Sequence, residues 1–180
     1  MPSFNGEAPK KVYEPVETGE YDTILTMEWK MAGTTKTIGC TYKIRPEIPN
    51  QKFGGRYLFD TIWPDKNNSN EYDAEKINAI LSTIEPEKDE NTGEEIPVKT
   101  DFESYDELIQ YCNGRAMIIR TYIVDKNKDD PSQGKKNAID KYSFKPSPYP
   151  MYVNQNGQKF GEAPAEENQT KDVTADDLPF

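Results

Sequence analysis

Several residue types and motifs on which enzymes depend are missing from this chain. Its 180 residues include no histidine, which removes the commonest general base and the commonest metal ligand. The sequence has no P-loop, no glycine-rich dinucleotide fingerprint and no nucleophile elbow. The two cysteines, Cys40 and Cys112, are far apart and match no metal-binding spacing. We therefore expect no catalytic activity, no metal and no other cofactor.

Long apolar runs are missing as well. No segment approaches the roughly 20 consecutive apolar residues that a membrane-spanning helix needs, so we expect no membrane partner. No signal peptide is recognisable, and the two cysteines are therefore expected to stay reduced in a cytoplasm. Only 34% of the residues are hydrophobic and 30% are charged, which predicts that a sizeable part of the chain lies outside a packed core.

The acidic residues are unevenly distributed along the chain. The formal net charge is −10, which by itself argues against a nucleic-acid partner. However, residues 85–107 contain ten acids and two bases, and residues 161–180 contain six acids and one base. The remainder has 16 acids and 19 bases and is mildly basic. This segregation is compatible with a surface that follows phosphate groups.

The last five residues form the most specific motif of the chain. They are Asp176, Asp177, Leu178, Pro179 and Phe180. A terminal phenylalanine offers a ring for an apolar pocket, and the adjacent α-carboxylate can be held by a basic side chain. The proline stiffens the segment and lowers the entropy that is lost on docking. We interpret these residues as a partner-binding tip; the alternative is an acidic tail that only improves solubility.

Five stretches of the sequence have the period-two alternation or the β-branched content that is typical of strands. They are residues 20–31, 36–45, 56–63, 115–125 and 138–146. Proline, glycine and asparagine residues separate the first three stretches, as turns require.

Two helices are predicted between the third and fourth strands. Asp73 is expected to cap the first helix, where apolar residues recur at helical spacing. Ser104 and Glu107 have the spacing of a capping box at the start of the second helix, which should end at Gly114. Between the helices, residues 85–100 are expected to form an exposed acidic loop.

The order of three strands, a helical insertion and two strands is that of an OB-fold. This fold is a five-stranded, partly open barrel whose strand 2–3 face and L12 and L45 loops bind oligonucleotides. Here L12 would be residues 32–35 and L45 would be residues 126–137. The predicted fold is therefore mainly β: an OB-fold-like five-stranded barrel with a helical insertion between strands 3 and 4 and a disordered acidic C-terminal tail.

Taken together, the tip and the strand order resemble those of phage-encoded single-stranded DNA-binding proteins. The resemblance implies a flexible arm over residues 1–11, a DNA-binding domain over 12–150 and a linker with a partner-binding tail over 151–180. Only the tip matches a specific motif, and the helical insertion departs from the compact bacterial form. The oligomeric state therefore stays open, with a homo-oligomer as one alternative, and so does the packing of residues 151–160.

In that family the protein coats and protects single-stranded DNA with little sequence preference. The resemblance implies this role in phage DNA replication, recombination and repair, in the cytoplasm of the bacterial host. The tip would recruit phage or host replication and recombination proteins. The alternative is a protein-binding adaptor of a phage replication complex that does not itself bind DNA.

A sequence-tolerant binder needs aromatic rings for the bases and cations for the phosphates. The candidate DNA-binding residues are Trp29, Lys43, Arg45, Tyr57, Phe59, Trp63, Arg120, Tyr122, Lys126, Lys135 and Lys136. On strand 2, Lys43 and Arg45 are expected to point outward.

The side-chain phase of strand 3 has two alternatives. With Leu58 and Ile62 in the interior, Tyr57, Phe59 and Trp63 share the outer face with the cations of strand 2. The opposite phase buries the three rings in the core and leaves them structural.

Overall fold

The computed structural model describes residues 2–4, 6, 14–84, 86–149, 151–153 and 159–161. Their backbone is mainly β, with two short α-helices. In chain order the elements are β1 (Gly19–Ala32), β2 (Thr35–Ile44), β3 (Tyr57–Ile62), α1 (Ala74–Leu81), β4 (Glu87–Asp89), β5 (Glu95–Ile96), α2 (Tyr105–Cys112), β6 (Arg115–Asp125), a 3₁₀ turn (Pro131–Gln133), β7 (Lys135–Lys145), β8 (Met151–Val153) and β9 (Lys159–Gly161).

A five-stranded antiparallel sheet forms the body of the protein. Its strand order is β3-β2-β1-β6-β7, so β1 lies at the centre and β3 and β7 are the two edges. The five strands predicted from period and β-branched content are confirmed. Strand β7 begins at Lys135, three residues earlier than predicted. A backbone hydrogen bond from Lys126 N–H to Gly134 O joins the two ends of the loop after β6 and makes this loop shorter than the predicted 126–137.

The sheet is open rather than closed into the predicted barrel. In the part of the chain that the structure describes, no backbone ladder joins β3 to β7. On the edge of β3, the Lys76 ammonium donates a hydrogen bond to the Thr61 carbonyl oxygen at 3.0 Å. That acceptor is therefore already used by α1, and a groove separates the two edge strands.

Both helices begin at the predicted caps. The Asp73 carboxylate accepts from the backbone N–H groups of Glu75 and Lys76, and the Ser104 hydroxyl accepts from Glu107 N–H. Gly114 follows α2 with a φ of +82°, the left-handed conformation that favours glycine at this position. The apolar faces of the helices pack on the same core as the inner side of the sheet.

The segment predicted as an acidic loop contains two short strands. β4 pairs with β5 and also with β8, and β9 continues this second sheet in the order β5-β4-β8-β9. Strands of two or three residues are too short to show a periodic pattern, so the sequence could not reveal them. Residues 151–153 thus pair with the insertion, and residues 159–161 pair with 151–153. The predicted domain boundaries at residues 11 and 150 stay predictions.

Candidate nucleic-acid interface

The outer side of β3 carries a row of exposed aromatic side chains. Leu58 and Ile62 are fully buried, while Tyr57, Phe59 and Trp63 are 47%, 57% and 52% exposed. The structure therefore selects the first of the two side-chain phases left open by the sequence. Exposed apolar side chains that share one face of an edge strand make this face a candidate interaction surface.

Two lysines lie beside this row. Lys43 of β2 is exposed and stands directly opposite Tyr57 in the β2–β3 register. Lys30 of β1, which the sequence did not single out, places its Nζ atom 5.9 Å from the centroid of the Phe59 ring. Among the described residues neither lysine forms an ion pair, so no carboxylate neutralises either ammonium group.

A groove of about 630 Å³ runs between the edges of β3 and β7. Phe59 and Trp63 line it on one side, and Lys136 with Asn137 lines it on the other. The predicted residue Lys136 is thus brought together with two of the three exposed rings. The groove is open to solvent, with two flat aromatic rings on one side and a cation on the other.

The remaining candidates on β6 and β7 form a separate group. Arg120 and Tyr122 are exposed on β6, and Tyr122 lines a second cavity of about 310 Å³ with Tyr142. Lys135 forms an ion pair with Asp125 across the β6–β7 hairpin. Lys126 is exposed in the loop of this hairpin. This group flanks the groove but does not line it.

The prediction that Arg45 points outward with Lys43 was wrong. Strand β2 ends at Ile44, so the alternation of side chains does not continue through Arg45, which is 1% exposed. Its guanidinium Nη1 donates to Asp22 Oδ1 at 3.1 Å and to the Tyr149 carbonyl oxygen at 2.7 Å. Arg45 therefore cannot contact DNA in this structure, and we leave it out of the proposed binding surface.

The partners of Arg45 show that it is part of a buried polar network. Ser147 donates its hydroxyl proton to Asp22 Oδ2 at 2.5 Å, and Arg45 Nε donates to Glu47 at 2.8 Å. Burial raises the pKa of Asp22, against the opposing effects of the Ser147 hydrogen bond and the Arg45 charge. The network ties the chain after β7 to the start of β1, which is a structural role.

Trp29 also lies apart from the exposed rings. It follows Leu25 and Met27 on the core-facing side of β1, whereas the row on β3 faces outward. Its indole N–H donates to the Asp106 carboxylate at 2.6 Å, and the Lys36 ammonium lies 4.2 Å from its ring. The sequence predicted Trp29 near L12, and the structure uses it to join that end of β1 to α2.

Burial disfavours ionisation of two titratable groups in the core. Burial raises the pKa of the Cys40 thiol far above its ordinary value, which disfavours the reactive thiolate. Burial likewise raises the pKa of Tyr42. The predicted partner-binding tip, residues 176–180, lies outside the described residues.

Comparisons with known proteins give no family model that matches the chain and no curated protein with significant similarity to it. Among the residues that the structure describes, no helix is long and apolar enough to cross a membrane.

Proposed function

We propose that this protein binds single-stranded DNA with little sequence preference, through the outer face of β2 and β3 and the groove beside β3. The observation that carries the proposal is the exposed aromatic row Tyr57, Phe59 and Trp63, flanked by Lys30, Lys43 and Lys136. Every base has a flat face, so rings of this kind bind single strands without reading their sequence.

The energetics suit a single strand better than a duplex. Base stacking on an aromatic side chain is worth roughly 1–3 kcal/mol per base, and it requires bases that are not already stacked within a duplex. The lysines would add attraction to phosphates that weakens with salt. Two or three stacked bases would contribute roughly 2–9 kcal/mol, and the phosphate contacts would add a part that weakens with salt.

The topology supports the same proposal. The order β3-β2-β1-β6-β7 and the placement of both helices between β3 and β6 are compatible with an OB-fold whose edge strands remain apart. In that fold the strand 2–3 face binds oligonucleotides, and here that face carries the aromatic row. We therefore propose that the sheet is an OB-fold sheet in which the β3–β7 groove extends the binding face.

The biological setting is part of the proposal and rests on the resemblance of residues 176–180 to the tips of phage single-stranded DNA-binding proteins. The protein would coat exposed strands during phage DNA replication, recombination and repair in the host cytoplasm. Its tip would bring replication and recombination proteins to the coated strand.

Substitution of the exposed rings tests the proposal. Phe59→Ala and Trp63→Ala should each weaken binding of an oligothymidine by roughly 5- to 150-fold, which corresponds to about 1–3 kcal/mol for one stacked base. Both rings are more than half exposed, so the free energy of unfolding should change little. The measurement is fluorescence anisotropy of a labelled oligonucleotide, with urea unfolding as the check on stability.

Phe4→Ala is the matched control, because Phe4 is 90% exposed and lies outside the sheet. It should leave the affinity unchanged. If the wild-type protein binds the oligonucleotide and neither sheet variant weakens that binding, the aromatic row serves another purpose. Failure of the wild-type protein to bind at all would instead favour the adaptor alternative.

A further inference from the structure

The side chain of Lys30 crosses the outer face of β2 to reach Phe59 on β3. In the sheet register Lys30 stands opposite Thr37, and Gly39 is the next residue of β2 on the same face. Gly39 in turn stands opposite Thr61, one position along that face from Phe59. Lys30, Gly39 and Phe59 thus form a diagonal across three strands, a spacing that long side chains can span.

Gly39 provides the space for this crossing. A Cβ atom at position 39 would lie 3.2 Å from Lys30 Cδ and 3.5 Å from Lys30 Cβ, which is tighter than ordinary packing at the first of these atoms. A larger side chain would occupy the path of the lysine stem. Gly39 is buried although it lies on the outer face, which agrees with the stem lying over it.

Backbone conformation does not explain the glycine. Gly39 lies inside β2 and is not among the glycines with positive φ, so other residues can adopt its conformation. Glycine in a strand interior weakens the strand and often marks a close approach by another group. Here the approaching group is Lys30, whose ammonium ends 5.9 Å from the centroid of Phe59.

We infer that Lys30 is a phosphate-binding residue of the DNA site and that Gly39 is a positioning residue that directs it to Phe59. The inference rests on the proposed function. The Lys30 ammonium lies over the ring of Phe59, 5.9 Å from its centroid. When a base stacks on this exposed ring, the flexible lysine side chain turns its ammonium to the phosphate of the same or the next nucleotide. Lys30 and Phe59 thereby act as one unit that binds a nucleotide by its base and by its charge.

The test compares Lys30→Gln, Gly39→Val and the double variant in binding to oligothymidine over a range of salt concentrations. Loss of one phosphate contact should make the plot of log affinity against log salt less steep by about 0.7. Lys30→Gln should show this change, together with a severalfold weaker affinity at low salt. Gly39→Val should reproduce both effects, because valine suits a strand but blocks the stem. The double variant should bind no more weakly than the weaker of the two single variants.

Lys99→Gln is the charge-matched control, since Lys99 pairs with Glu107 of α2 and lies outside the five-stranded sheet. It should keep the wild-type salt slope. If Gly39→Val does not fold, Gly39→Ala replaces it in the same cycle, and its effect should vanish in the Lys30→Gln background.

The two proposals fail in distinguishable ways. If the wild-type protein binds single strands but Lys30→Gln keeps the full salt slope, the role of Lys30 is overturned and the proposed function stands. Additive losses from the two substitutions would overturn the positioning role of Gly39. If the wild-type protein does not bind, the proposed function itself is overturned.

Discussion

At the residue scale, Lys43 and Arg45 are two cations that lie two positions apart in the chain but have different roles. Lys43 lies within β2 and points to solvent beside Tyr57, as the alternation predicts. Arg45 lies just beyond the strand, next to Pro46, and turns inward to Asp22. Local periodicity identifies the first but not the second, because only tertiary structure provides a buried carboxylate as a partner.

Alanine substitution should separate the two roles. Arg45→Ala leaves the buried Asp22 without its charged partner and should lower the free energy of unfolding by roughly 3–5 kcal/mol. Lys43→Ala removes an exposed side chain and should change that free energy by no more than about 0.5 kcal/mol, while it weakens DNA binding. Urea unfolding followed by tryptophan fluorescence measures the stability of both variants. Equal stability of the two variants would contradict the assignment of Arg45 to the core.

At the scale of secondary-structure elements, the helices were predictable because their starts depend on local chemistry. The Asp73 carboxylate satisfies two backbone N–H groups at the first turn of α1, one of which belongs to Lys76. That turn also positions the Lys76 ammonium on the Thr61 carbonyl at the edge of β3. The cap therefore supports the helix and, through its first turn, the contact of Lys76 with the edge of β3.

Removal of this cap should destabilise the protein by a modest and defined amount. Asp73→Ala should lower the free energy of unfolding by about 0.5–2 kcal/mol, because two N–H groups lose their acceptor. Asp73→Asn should keep most of the stability, because an asparagine side chain caps nearly as well. Thermal and urea unfolding measure the difference. An alanine variant as stable as the asparagine variant would show that the cap contributes little.

Some features of the site could not be read from the sequence. Tyr57, Phe59 and Trp63 are equally suitable for a core and for a binding face, so only the burial of Leu58 and Ile62 decides their direction. The contact between Lys76 of α1 and the edge of β3 depends on tertiary structure, which no local pattern encodes.

Lys30 was missed for a related reason. The ring of Phe59, over which its ammonium lies, belongs to a strand two positions away in the sheet, and the contact depends on the register of both ladders. The one available signal was Gly39, a glycine inside an otherwise regular strand pattern. Such a residue indicates that another group passes close to the strand.

At the scale of the whole molecule, charge is divided between the sheet and two acidic segments. Residues 162–180 contain six acids and one base, whereas the proposed binding face presents Lys30, Lys43 and Lys136. We propose that this anionic segment of the same chain competes with DNA for these cations, because its attachment to the domain gives it a high effective concentration. The net charge of −10 therefore does not argue against DNA binding, but it predicts a competitor within the chain.

Truncation after Gly161 should tighten the binding of single-stranded DNA at low salt. The effect should shrink as salt is added, because screening weakens attraction between the acidic segment and the lysines. Affinity measurements with the full-length and truncated proteins at two salt concentrations provide the test. Identical affinities at low salt would show that residues 162–180 do not compete for the binding face.

The central claim is most directly tested by a comparison of a labelled oligothymidine with its duplex counterpart, titrated with the full-length protein at low and moderate salt. The proposed function predicts strong preference for the single strand, because base stacking on the exposed rings would need unstacked bases. It also predicts a loss of affinity with salt, because the lysines would contact phosphates. Equal affinity for both forms, or no binding at low salt, would contradict the assignment of the β2–β3 face as a single-stranded DNA site.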